Sequence, residues 1–92
     1  MLSLKKWRSD TLFWLKRPGH NTLNKIVGRN LRRLRGKLHL SQDDFADRAN
    51  IHRTYIGAIE RGEQNITLST LELLAATLKA KPVDLLVMEE ED

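Results

Sequence analysis

The chain has 92 residues, which is enough for one small domain, and 40% of them are hydrophobic. It contains 16 Lys and Arg against 12 Asp and Glu, a formal net charge of +4, and no cysteine. The lack of cysteine excludes a disulfide framework, a cysteine-ligated zinc finger and a thiol nucleophile. No apolar run approaches the length of a membrane span or a signal peptide, so we expect no membrane span and a cytoplasmic location.

The charge is distributed unevenly along the chain. Residues 1–40 carry 11 basic side chains and one acidic side chain, a sum of +10, whereas residues 41–92 carry 5 basic and 11 acidic ones, a sum of −6. This asymmetry is typical of a protein with one surface that attracts a polyanion, although small proteins without such a partner also carry lopsided charge. Composition alone therefore leaves the partner open.

Residues 1–21 differ from the rest and form a basic extension that contains both tryptophans. Their apolar side chains fall at helical spacing, which predicts a short amphipathic helix, and Pro18-Gly19 closes the segment. Three interpretations stay open: a helix packed on the main domain, a basic arm that touches nucleic acid or a membrane, and a frayed terminus. We assign residues 22–88 to the domain and residues 89–92 to an acidic tail.

The domain begins with a helix whose apolar residues recur every three or four positions, namely Leu23, Val27, Leu31, Leu34 and Leu38. Further along, Ser69 and Glu72 form a capping box that is expected to open a fourth helix. Pro82 suits the first turn of a short fifth helix. No segment alternates with period two over a useful length, so the sequence predicts an all-α fold.

Between these elements lie two short helices joined by a tight turn. Ser41 and Asp44 form a capping-box pattern, in a weaker version because Asp replaces the usual Glu or Gln, and it opens a helix over about 42–49. A third helix is predicted over about 52–61. Asn50 separates the two and enters the left-handed conformation readily, which such a turn requires. Gly62 is a suitable stop for the third helix. The pattern predicts a helix-turn-helix.

The stretch LSQDDFADRANIHRTYIGAIERG resembles the lambda Cro and repressor family of XRE-like DNA-binding domains. It is most similar to the controller proteins of restriction–modification systems, through RTYI and IERG. The resemblance covers about residues 22–87 and implies a five-helix lambda-repressor-like domain, to which residues 1–21 are an extra N-terminal segment. Two residues depart from the family pattern. Asn50 replaces the usual Gly, and His52 replaces the usual cap, which leaves the start of the third helix open.

The resemblance implies that the third helix lies in the major groove and that its first side chains contact base edges. Those positions are Arg53, Thr54 and His52. Arg53 is the strongest candidate, because a guanidinium can donate two hydrogen bonds to guanine O6 and N7. A phosphate contact is the alternative role for this residue.

Other residues at family positions are expected to hold the DNA backbone without selecting a sequence. The candidates for phosphate contacts are Gln42, Tyr55, Asn65, Arg61 and Arg32. Arg35 and Glu60 match positions that form a partly buried salt bridge between the first and third helices. We expect this pair to support the scaffold.

Members of this family usually act as symmetric dimers with two half-sites one helical turn apart. The apolar residues left over for such an interface lie in the fifth helix: Val83, Leu86 and Val87, together with Leu85. The alternative is that they complete the core of the monomer. The expected partners are double-stranded DNA and a second copy of the chain.

The leading hypothesis is a sequence-specific transcriptional regulator of bacterial or phage type that binds a palindromic operator. An antitoxin-type interaction module with autoregulatory DNA binding is a second hypothesis, in which residues 1–21 bind a protein partner. A membrane-surface protein that uses Trp7 and Trp14 is a third. The histidines at 20, 39 and 52 show no ligand spacing and no nucleophile–base set is recognisable, so we expect no enzyme, no metal and no cofactor.

Overall fold

A computed structural model describes residues 22–88. These residues form four α-helices and one 3₁₀ helix and contain no strand: α1 Thr22–Lys37, α2 Gln42–Ala49, α3 Arg53–Glu60, α4 Leu68–Leu78, and the 3₁₀ helix Pro82–Leu85. The all-α prediction is confirmed. The fifth element is a single 3₁₀ turn and not an α-helix. The predicted N-terminal helix and acidic tail lie outside the described residues.

The core lies between all five elements. Its largest fully buried side chains are Leu31 of α1, Phe45 of α2, Ile56 and Ile59 of α3, Leu74 of α4 and Leu85 of the 3₁₀ helix. Burial of one such side chain contributes about 1.5–3 kcal/mol. α2 and α3 pack against each other, α3 packs on α1, and α2 packs on α4, so the two short helices are held from both sides.

The apolar stripe predicted for α1 is correct only in its centre. Val27 and Leu31 are buried, but Leu23 is 48% exposed and Leu38 is 41% exposed. Leu38 lies one residue beyond the end of α1, so helical periodicity no longer determines the direction of its side chain. Ile26, which is outside the predicted stripe, is buried near the start of the helix.

Gly28 lies where α1 crosses the end of α3. A methyl group at this position would meet the carbonyl oxygen of Ile59 and would lie 2.7 Å from that of Glu60. Both are backbone atoms of α3 and cannot rotate away. Only a glycine permits this approach, in which the backbone of α1 rests on the C-terminal turn of α3.

The turns around α2 and α3 agree with the predictions. The hydroxyl of Ser41 accepts a hydrogen bond of 3.0 Å from the backbone N–H of Asp44. Asn50 is left-handed, with φ 57° and ψ 43°, and its N–H group bonds back to the end of α2. Gly62 has φ 76° and ends α3. These local signals place the helix-turn-helix.

The capping box predicted for α4 is wrong. The helix begins at Leu68, and its N-cap is Thr67, whose hydroxyl accepts a hydrogen bond of 3.1 Å from the N–H of Thr70. The two hydroxyl oxygens are also 3.0 Å apart. Ser69 therefore lies inside the first turn of the helix and cannot cap it. With Thr67 as the cap, the helix begins two residues earlier than it would with Ser69 as the cap.

Asn30 is buried and connects α1 to the C-terminal segment. It is 1% exposed, and its Nδ2 donates hydrogen bonds of 2.9 Å to the carbonyl oxygens of Leu85 and Val87. Its Oδ1 accepts a bond from Nη2 of Arg33.

Leu85 is 0% exposed, so its assignment to a dimer interface is wrong, because the side chain fills the monomer core.

Candidate nucleic-acid interface

The first turns of α2 and α3 lie side by side. An ion pair of 2.9 Å between Asp43 and Arg53 joins the second residue of α2 to the first residue of α3. The turn between the helices is closed by a bond of 3.0 Å from the N–H of Ile51 to the carbonyl of Ala46, which is 3% exposed. A small side chain at Ala46 allows the two helices to approach, as a helix-turn-helix requires.

The N-terminal end of α3 presents three consecutive exposed side chains, those of His52, Arg53 and Thr54. The helix is anchored from its other face by Ile56 and Ile59, which are 0% and 1% exposed. The three residues that the resemblance implies as base contacts thus share one exposed end of one short helix. This end is free to enter a groove while the opposite face stays in the core.

His52 is the N-cap of α3. Its Nδ1 accepts a hydrogen bond of 3.2 Å from the backbone N–H of Thr54. The start of the helix, which the sequence left open, is therefore fixed at Arg53. Since a neutral imidazole that accepts at Nδ1 carries its proton at Nε2, the outer ring nitrogen of His52 is a donor.

Arg53 is exposed but not isolated. Its Nε lies 2.9 Å from Oδ1 of Asp43, and the two side chains are 59% and 72% exposed. Sequence reasoning missed Asp43, because its contact with the first residue of α3 depends on how the two helices pack. An acidic side chain thus lies directly beside the candidate base-contacting arginine.

A polar cluster at the C-terminal end of α3 holds the two short helices to α1. Arg35 donates to both carboxylate oxygens of Glu60, at 2.6 and 3.0 Å, and to the carbonyl of Leu40 at 2.7 Å. Gln42 Nε2 donates to Oε1 of Glu60 at 2.9 Å. The Glu60 side chain is only 4% exposed, so this carboxylate faces inward and not towards a ligand.

The hydrogen bonds that Arg35 donates to Glu60 raise the pKa of Arg35 above its ordinary value, against the opposing effect of burial. Gln42, a candidate phosphate contact, donates one hydrogen of its side-chain amide to Glu60. Its backbone N–H remains at the first turn of α2, where an α-helix provides no acceptor.

The structure places the other candidate phosphate contacts as follows. Tyr55 is half-buried and packs against the core. Asn65 is exposed and its Oδ1 accepts a bond of 2.6 Å from Asn24. Nε of Arg61 lies 3.1 Å from a carboxylate oxygen of Glu63, and Arg32 is exposed on α1.

Of the candidate dimer residues, Val83 is 57% exposed, whereas Leu86 and Val87 are half-buried. Leu86 also packs against the core, so it takes part in the monomer as well as in the exposed edge. Within residues 22–88, no three His, Asp or Glu side chains come together as a metal site would require. No helix in that range has the length and hydrophobicity to cross a membrane.

Two short helices around a left-handed turn, with an exposed first turn on the second helix, define a helix-turn-helix domain. The family described as Helix-turn-helix matches residues 31–86, and the chain belongs to it. Its resemblance to restriction–modification controllers is also confirmed. The chain is 42% identical over 67 residues to Control protein C.SmaI of Serratia marcescens. This match covers 73% of this chain and 80% of that protein.

Two solved structures of controller proteins have the same fold. The restriction-modification controller protein C.AhdI from Aeromonas hydrophila has a TM-score of 0.65 and 35% identity, over 67% of this chain and 94% of that one. The controller protein C.Esp1396I, solved as a tetramer in complex with its natural 35 base-pair operator, has a TM-score of 0.64 and 33% identity. That match covers 70% of this chain and 84% of that chain.

Proposed function

We propose that this chain is a sequence-specific DNA-binding transcriptional regulator that acts as a homodimer on a palindromic operator. The observation that carries the proposal is the exposed first turn of α3, supported on its other face by the core and flanked by the N-terminus of α2. This end is narrow enough for a major groove about 12 Å wide. The complex of C.Esp1396I with its operator supports the same role here.

The base contacts are assigned to the three exposed residues at this end. Arg53 donates to guanine, Thr54 donates, accepts or packs its methyl group on thymine, and His52 donates through Nε2. His52 has less freedom than the other two because its ring also caps α3. Direct recognition of bases therefore depends mainly on Arg53 and Thr54.

The phosphate contacts are assigned first to the N-terminus of α2. The N–H of Asp44 is taken by Ser41, but the N–H groups of Gln42 and Asp43 have no acceptor within the helix and suit a phosphate oxygen. Gln42 contributes its backbone more than its side chain, which is held by Glu60. Outer contacts are assigned to Tyr55, Asn65, Arg61 and Arg32.

The dimer is assigned to the C-terminal edge, around Val83, Leu86 and Val87. Val83 is a large hydrophobic side chain that is 57% exposed, and Leu86 and Val87, which follow it in the chain, are half-buried. Two copies joined there would present two α3 helices to one face of the DNA. Their centres would lie about 34–36 Å apart, which is one helical turn.

Selection of bound sequences from a random DNA pool tests the proposal, because a palindrome reports both the operator and the dimer. On the selected site, Arg53→Ala is expected to weaken binding by about 1–3 kcal/mol and to relax the preference at one base pair of each half-site. Binding to any DNA is expected to fall steeply with salt, since phosphate contacts release counterions.

Arg48→Ala is the matched control, because it removes the same charge from the exposed far end of α2. It should weaken binding to selected and random DNA by the same small factor. If Arg53→Ala also weakens both equally, Arg53 contacts phosphates and not bases. If the wild-type chain selects no sequence at all, the proposed function is wrong.

A further inference from the structure

The ion pair between Asp43 and Arg53 joins the first turns of α2 and α3. It lies at the exposed end of α3, with both side chains more than half exposed, so it contributes little to folding. A carboxylate at this place also repels the phosphates of any DNA that approaches the first turn of α2. The helix dipole favours an acid in the first turn of α2, but it does not account for the contact with Arg53, which points to a further purpose.

The geometry of the contact indicates that purpose. Asp43 contacts Arg53 through Nε, the guanidinium nitrogen nearest the main chain. A guanidinium held at Nε still carries two terminal NH₂ groups, and these can donate end-on to guanine O6 and N7. Fixing the side chain before DNA arrives also reduces the rotamer freedom that binding would otherwise remove.

We propose that Asp43 is a positioning residue that sets the orientation of Arg53 for guanine and so determines the specificity of the interface. This inference rests on the proposed function. On an operator, Arg53 keeps Asp43 at Nε while its outer NH₂ groups bind the base. Asp43 itself does not contact the DNA bases.

The same pair acts against binding to unrelated sequences. When no guanine is within reach, Arg53 gains most by rotating to contact a phosphate. This movement breaks its contact with Asp43 and leaves the carboxylate unpaired beside the DNA backbone. The resulting repulsion weakens binding to random DNA more than binding to the operator. Specificity is then increased by a penalty on the wrong partner as well as by a contact with the right one.

Asp43→Asn tests the inference, with Asp44→Asn as its matched control. Both substitutions remove one negative charge from an exposed residue in the first turn of α2, but only Asp43 contacts Arg53. We expect Asp43→Asn to raise affinity for random DNA about 3–10-fold and to leave operator affinity within about 2-fold. We expect Asp44→Asn to raise both affinities by the same factor.

A second readout is the base preference itself. Selection from a random pool with Asp43→Asn should give a weaker guanine preference at the position that Arg53 contacts and an unchanged preference elsewhere in the half-site. In an Arg53→Ala background, Asp43→Asn should no longer differ from Asp44→Asn, because the group that Asp43 orients is missing.

The outcomes separate the two proposals. If the wild-type chain selects an operator and both Asn variants keep the same preference and the same ratio of operator to random affinity, Asp43 acts only as a charge and this inference is overturned. The proposed function would survive that result. If the wild-type chain selects no sequence, both are overturned.

Discussion

α1 contains two glycines that form a matched pair for testing how closely it packs on α3. At Gly28 a methyl group would meet the carbonyl oxygens of Ile59 and Glu60, whereas at Gly36 it would meet nothing within 4 Å. The substitutions Gly28→Ala and Gly36→Ala therefore add the same methyl group to the same helix. They differ only in what surrounds it.

The expected effects have opposite signs. Alanine is the better helix former by about 1 kcal/mol in a helix interior, and near the end of α1 we expect Gly36→Ala to gain about 0.5 kcal/mol. At Gly28 the methyl group overlaps backbone atoms, so the two helices must separate. Overpacking of this kind costs about 1–3 kcal/mol, occasionally more. Separation also stretches the contacts of Arg35 with Glu60, and we expect a net loss of about 2 kcal/mol.

Urea and thermal unfolding of the full chain, followed by helical circular dichroism, measure both effects. For a domain of this size, 2 kcal/mol corresponds to a Tm lowered by about 10 °C. Gly36→Ala should raise the Tm by a few degrees and so shows that an added methyl group is not harmful in itself. Should Gly28→Ala unfold at or above the wild-type temperature, the close approach of α1 and α3 described above would be refuted.

Two further substitutions test the polar and turn contacts by the same unfolding measurements. Asn30→Ala removes the buried amide that donates to the carbonyls of Leu85 and Val87 and is expected to cost about 2–3 kcal/mol. Asn24→Ala, at an exposed amide pair, should stay within about 0.5 kcal/mol. Equal effects at the two sites would show that the bonds of Asn30 are not stabilising. Asn50→Ala should lower the free energy of unfolding by about 1 kcal/mol, because residue 50 has a left-handed backbone. Asn50→Gly should be nearly neutral. A loss in both variants would mean that the Asn side chain, and not the backbone conformation, is required.

Features determined by neighbouring residues were predictable from the sequence. The Ser41 cap, the left-handed Asn50 and the stop at Gly62 each depend on a few adjacent residues, and each was found as predicted. The Ser69 box failed although it is also a local signal. A second capping residue, Thr67, stood two positions earlier, and the pattern alone did not rank the two.

Features that depend on distant partners were not predictable. Gly28 is required by the backbone of α3, and Asn30 by carbonyls 55 and 57 residues further along the chain. A glycine and an asparagine inside a helical pattern were the available signals, since both are poor helix formers. Asp43 gave no signal, because an acid in the first turn of a helix is already accounted for by the helix dipole.

α1 contacts both parts of the domain for which a function is proposed, namely the DNA-contacting helix α3 and the C-terminal edge. Gly28 and Arg35 fix it to the end of α3, and Asn30 fixes it to the carbonyls that border the C-terminal edge. Asn30 lies between Gly28 and Arg35, so all these contacts fall within one short stretch of α1. In a dimer joined at that edge, α3 and the dimer interface would therefore be held to the same stretch of helix. A change in how two copies meet at the edge would then alter the half-site spacing that the dimer accepts, while every base contact stayed the same.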